Sequence, residues 1–144
     1  MKLEDIYENW TEDSKLDRTD ISSESIKIPQ LHAKYFKYFS DERLRAKQYD
    51  QQYKILYKQK FEYYMGTMDI EEMNDLGWEP QPLKILKQDL PIYIDADEDI
   101  INLNLKIALQ KEKIDVLENI IRMINTRGFQ LKNVIDWERF KSGQ

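Results

Sequence analysis

The chain has 144 residues, 34% charged and 41% hydrophobic, with four Gly, four Pro, one His, no Cys and a formal net charge of −5. Disulfide and thiolate chemistry are excluded, a lone His gives no basis for a zinc cluster or His-based acid–base catalysis, and no apolar run approaches the about 20 residues of a membrane helix. Scarce Gly and Pro among so many charges predict a mainly all-α single domain of long helices; the opening MKLEDIYENW has no secretory pattern, so a cytoplasmic protein is expected.

In chain order, Leu3, Ile6, Tyr7 and Trp10 lie on one side of residues 2–16, which predicts a short amphipathic helix. A polar connection follows, with Asp20, Ser22 and Ser23 as candidate N-caps. Proline suits a first helical turn and not an interior, so the next helix is expected to start near Pro29 and to run to about residue 65. Along it, Ile28, His32, Tyr35, Phe39, Glu42, Ala46, Tyr49, Tyr53, Leu56, Lys60 and Tyr63 alternate spacings of three and four, a heptad-like seam with three polar breaks. A helix of that length needs either a hairpin partner in the chain or another subunit to cover it. Gly66 is the expected stop.

Residues 66–95 form an irregular connector holding three of the four prolines, with Trp78 as a loop anchor and a possible short β-hairpin near 83–94. Beyond DADED (95–99), Ile100, Leu103, Ile107, Gln110, Ile114, Leu117, Ile121 and Ile124 form a second seam, expected over about 97–127 with Gly128 as its end. Further apolar residues at Ile101, Leu105, Ala108, Val116 and Ile120 widen the stripe, so this helix should touch more than one neighbour, and Ile100, Leu103, Ile107, Ile114, Leu117, Ile121 and Ile124 are the candidate oligomerisation residues. A last short helix, about 131–141, carries Trp137 and Phe140.

Chemistry of the catalytic kind finds little support. The four glycines are isolated and build no phosphate loop, and no nucleophile–His arrangement is available. The DADED carboxylates suit a helix N-terminus better than a metal-dependent nuclease centre, which needs several converging oxygens. A non-enzyme without cofactor or metal is therefore expected. Residues 34–65 are different: eight bases (Lys34, Lys37, Arg43, Arg45, Lys47, Lys54, Lys58, Lys60) meet four acids, a balance of +4 that leaves −9 for the rest of the chain. Bases interleaved with rings fit single-stranded nucleic acid, cations tracking phosphates and rings stacking on bases. They equally fit the solvated face and buried stripe of a coiled-coil scaffold or adaptor protein without nucleic-acid binding.

Three stretches, MKLEDIYENW, YKQKFEYYMG and NTRGFQLKNVIDWERFKSG, resemble in order and separation the UvsY recombination mediator family of T-even-like phages. The resemblance implies a heptameric homo-oligomeric ring in the cytoplasm of the infected bacterium. Such a ring binds single-stranded DNA and helps a RecA-like recombinase of the UvsX type displace the phage single-strand-binding protein, in recombination, repair and recombination-dependent replication. The family's DNA-binding motif falls on Lys58, Lys60, Tyr63, Tyr64 and Gly66, and its assembly determinants fall toward the C-terminal helix. Here Lys60 stands where the familiar pattern has Arg, and Met65 and Thr67 replace a small residue and another Arg, so binding is expected either to be weaker or to lean more on residues 43–54, which hold Arg43, Arg45, Lys47 and Lys54.

Overall fold

In a computed structural model that describes residues 1–143, every regular element is helical: α1 (Leu3–Asp13), α2 (Ile21–Met65), α3 (Ile70–Leu76), a 3-10 turn (Lys87–Asp89), α4 (Leu90–Asp95), α5 (Glu98–Asn125) and α6 (Arg127–Lys141). The chain divides into two compact units, one of Met1–Leu44 with 111–143 and one of Arg45–Gln110.

In the first unit the core consists of Ile6, Tyr35, Leu117, Ile120 and Ile124, joined by Trp10, Ile28, Leu31 and Phe39. Trp10 meets Tyr35 edge to face at 5.4 Å, and full burial of each large side chain contributes about 1.5–3 kcal/mol. Asp13 at the end of α1 accepts hydrogen bonds from Lys34 Nζ (2.6 Å) and the Tyr35 hydroxyl (2.7 Å), fixing α1 on α2. Arg127, at the first residue of α6, is buried; it pairs with Glu24 at 3.5 Å and donates to the Lys15 carbonyl at 2.8 Å.

In the second unit Leu90, Ile94 and Ile100 pack with Tyr53, Leu56, Tyr57, Phe61, Tyr64 and Ile85. Here α2 and α5 run antiparallel: the Tyr64 hydroxyl bonds Asp97 at 2.6 Å, while Lys106 lies over the Tyr49 ring at 4.6 Å. The hairpin partner required by the long helix is thus supplied within the chain. Every position of both seams is buried or half-buried, the polar breaks Glu42, Lys60 and Gln110 included.

Four expectations are corrected. Helix α2 starts at Ile21, and Pro29 lies inside it, because Asp20 caps the start by accepting from the Ser23 N–H at 3.3 Å. The possible hairpin near 83–94 is a 3-10 turn and a helix: Leu90 and Ile94, four apart, are buried while Ile92 between them is 67% exposed, and Pro91 sits in the first turn of α4 where its fixed φ is an advantage. The connector is not irregular throughout, since α3 occupies part of it and Gly77, at φ 72°, ends α3. Gly128 is not a stop; α5 ends at Asn125 and Gly128 is the second residue of α6.

Candidate nucleic-acid interface

Helix α2 presents Lys47, Lys54 and Lys58 on one face, because spacings of seven and four return to nearly the same side of a 3.6-residue helix. All three are exposed, Lys58 at 78%, and they span about 16 Å at 1.5 Å per residue. Lys58 has a loose pairing with Glu62 at 3.7 Å, an exposed i, i+4 contact that costs little to exchange for a phosphate. Asp50 lies on the same face and interrupts it. Arg43, in the first unit, is exposed and lies over the Phe39 ring at 5.3 Å; Arg45 is half-buried.

Lys60 is placed differently. It occupies a seam position, so the register that exposes Lys58 turns Lys60 inward, and its side chain is only 5% exposed. Its ammonium pairs with Asp97 at 3.1 Å and Asp99 at 2.9 Å, and it sits 3.7 Å from the centroid of the Trp78 ring. Asp97 serves two elements: Oδ1 accepts from the N–H groups of Asp99 (2.9 Å) and Ile100 (3.3 Å), starting α5, while Oδ2 accepts from Tyr64 and Lys60. Burial pushes the Asp97 carboxyl up, but the hydrogen bonds from Tyr64 and Lys60 outweigh it and hold the group below the usual carboxylate range. Burial and the same hydrogen bond push the Tyr64 hydroxyl well above its ordinary value.

Tyr63 and Tyr64 are half-buried and engaged: the Tyr63 hydroxyl donates to the Glu79 carbonyl and its ring meets Trp78 at 5.3 Å, while Gln81 donates to the Tyr64 carbonyl at 3.1 Å. Gly66 adopts φ 81°, the left-handed conformation that lets the chain leave α2. Of the candidate contacts, then, Lys47, Lys54 and Lys58 share one exposed face, whereas Lys60, Tyr63 and Tyr64 join a cluster with Trp78, Asp97 and Asp99. The sequence reading did not connect Asp97, Asp99 and Trp78 to the motif; the signal available was a lysine at a buried register position beside an acidic run with no other assigned partner.

The candidate oligomerisation residues divide by burial. Ile100, Leu117 and Ile124 are fully enclosed in their own units, and Leu103, Ile107, Ile114 and Ile121 are half-buried. On α5 in the second unit the exposed large apolar residues are Ile101, Leu105 and Leu109, four apart.

The profile of the family described as "Recombination, repair and ssDNA binding protein UvsY" matches residues 9–144. The chain belongs to the UvsY family. Among its relatives, the recombination protein uvsY of Enterobacteria phage T4 is 24% identical over 144 residues, all of both chains. Two crystal structures of the bacteriophage T4 recombination mediator protein UvsY share the fold, one with a TM-score of 0.84 at 22% identity over 99% of this chain and 98% of that one. The other has a TM-score of 0.85, again at 22% identity, covering 97% and 99%. Within this UvsY-family chain the YKQKFEYYMG motif thus contains both an exposed cation, Lys58, and an enclosed one, Lys60.

Proposed function

We propose that this UvsY-family chain binds single-stranded DNA through the exposed Lys47, Lys54 and Lys58 face of α2, with Arg43 and Arg45 adding positive charge. In this role it is a recombination mediator that loads a RecA-like recombinase of the UvsX type onto strands covered by the phage single-strand-binding protein. The observation that carries the proposal is three exposed lysines on one helix face, none in a buried ion pair, inside a chain that is otherwise acidic. Phosphates exchange released counterions for those lysines, and half-buried rings beside them offer sequence-tolerant contact to unpaired bases. No bond is made or broken: the strand is organised, the single-strand-binding protein's hold is loosened, and the acidic remainder of the chain meets basic surfaces on the protein partners. The setting is the cytoplasm of the infected bacterium.

Multiple copies would raise the strength of such modest sites through effective concentration. The proposed homo-oligomer, a heptamer as the family resemblance implies, is supported by Ile101, Leu105 and Leu109, with Leu105 64% exposed, and by the half-buried seam positions beside them. Leu105→Asp should lower the mass seen by light scattering, and an unchanged assembly would remove this face from the interface.

DNA binding is tested by titrating a fluorescent single-stranded oligonucleotide and a duplex of the same length with wild type and Lys58→Ala. Preference for the single strand, weakened severalfold in the variant, is expected. No binding by either protein would leave the scaffold or adaptor reading in its place.

A further inference from the structure

Between His32 and Arg43, helix α2 carries four groups that neighbour one another at helical spacings of four, three and four. The His32 and Phe36 rings stack with centroids 5.7 Å apart and planes 13° from parallel, Phe36 meets Phe39 at 6.3 Å, and the Arg43 guanidinium lies over the Phe39 ring at 5.3 Å. All four belong to the first unit. The core of that unit encloses Tyr35 and packs against Tyr38 and Phe39. Phe36, one residue on from Tyr35 and so about 100° round the helix, is instead 50% exposed.

Electrostatics select what that open ring faces. Of the two acids within residues 32–43, Glu42 is buried, and Asp41, two residues before Arg43 and on the other side of the helix, pairs with Lys37 at 2.9 Å. Arg43 is exposed and pairs with no carboxylate among the described residues. Phe36 lies seven residues before it, about 10 Å along the helix and on nearly the same side. Steps of seven and four lead in sequence from Phe36 to Arg43 and Lys47, the same steps that lead from Lys47 to Lys54 and Lys58. An open aromatic face in line with an unneutralised guanidinium, and with no carboxylate on that side, suits a base on the ring and a phosphate of the same strand on the cation.

We infer that the exposed face of Phe36 stacks on an unpaired base of a single strand whose phosphate Arg43 holds, with His32 and Phe39 fixing the ring. The inference rests on the single-stranded DNA reading above and adds to it a base contact in the first unit.

The test is titration of the full chain, at several salt concentrations, with oligothymidylate and with an oligomer of the same length whose sites are abasic. Phe36→Leu keeps an apolar, helix-forming side chain at a half-exposed position, which preserves the fold. It should weaken oligothymidylate binding about fivefold or more, the scale of one lost base stack, with an unchanged salt slope, and should bind the abasic oligomer as the wild type does. Phe36→Trp should retain affinity for oligothymidylate. Arg43→Ala should instead lower the salt slope by about 0.7 on both oligomers, the signature of one lost phosphate contact. Equal losses by Phe36→Leu on both oligomers would mark a structural effect and overturn the inference. A lower mass by light scattering for Phe36→Leu, with DNA binding intact, would assign this face to a second copy and also overturn it. Failure of the wild type to bind overturns the DNA reading and this inference together, whereas wild-type binding that Phe36→Leu leaves unchanged overturns this inference alone.

Discussion

Arg127 opens the run RGF that carries much of the family likeness, yet its side chain faces the interior, 4% exposed against a Glu24 carboxylate that is 3% exposed. A buried pair of this kind stabilises weakly as a pair but strongly against loss of one partner. Arg127→Met should therefore cost about 3 kcal/mol, measured by urea unfolding, and a loss within the scatter of ordinary surface substitutions would show the pair to be solvated. Asp13, Glu24 and Asp97 all lie below the usual carboxylate range: burial raises each, and hydrogen bonds with nearby cations lower each by more. Their folded values lie below the unfolded ones, so the stability they contribute is present above about pH 4 and is lost as pH falls through the folded values. The urea midpoint should accordingly drop from about pH 4 downward, and Asp97→Asn should flatten part of that drop. At this scale the sequence was legible in register but not in partnership. The period placed Lys60 inward, and only the folded connector shows that Asp97, Asp99 and Trp78 receive it.

Among the elements, the two long helices were the most legible, since each repeats an apolar seam over many turns and each seam finds its partner in the same chain. The start of α2 was not. An interior proline costs about 3 kcal/mol relative to Ala, which argues for a boundary at Pro29. The Asp20 cap, the burial of Glu24 and the partial burial of Ile28 against the core carry the helix through it nonetheless. Pro29→Ala should then stabilise the chain, by up to about 3 kcal/mol, through a higher urea midpoint with an unchanged slope. Destabilisation would mean that the ring packs or bends the helix in a way Ala cannot replace. Residues 67–95 were read poorly because α3 and α4 have seven and six residues, too short for either periodicity to declare itself. Leu90 and Ile94 are a single i, i+4 pair, which a strand reading absorbs as easily as a helical one until burial separates them from Ile92.

For the whole molecule, the decisive pattern is charge set against burial. The stretch 34–65 is +4 in a chain of −5, but its cations are not equivalent: Lys34 is bound to Asp13, Lys60 to Asp97 and Asp99, and Lys47, Lys54 and Lys58 remain exposed on one face. Composition alone cannot make that division, which is why the candidate site was legible as a segment and not as a surface. The salt dependence of single-strand affinity tests the division most directly, because each phosphate contact adds about 0.7 to the slope of log affinity against log salt. Three contacting lysines give an expected slope of about 2 or more in magnitude for the wild type, reduced by about 0.7 in Lys58→Ala. A slope that is the same in wild type and Lys58→Ala would contradict the assignment of the exposed lysine face to the DNA backbone.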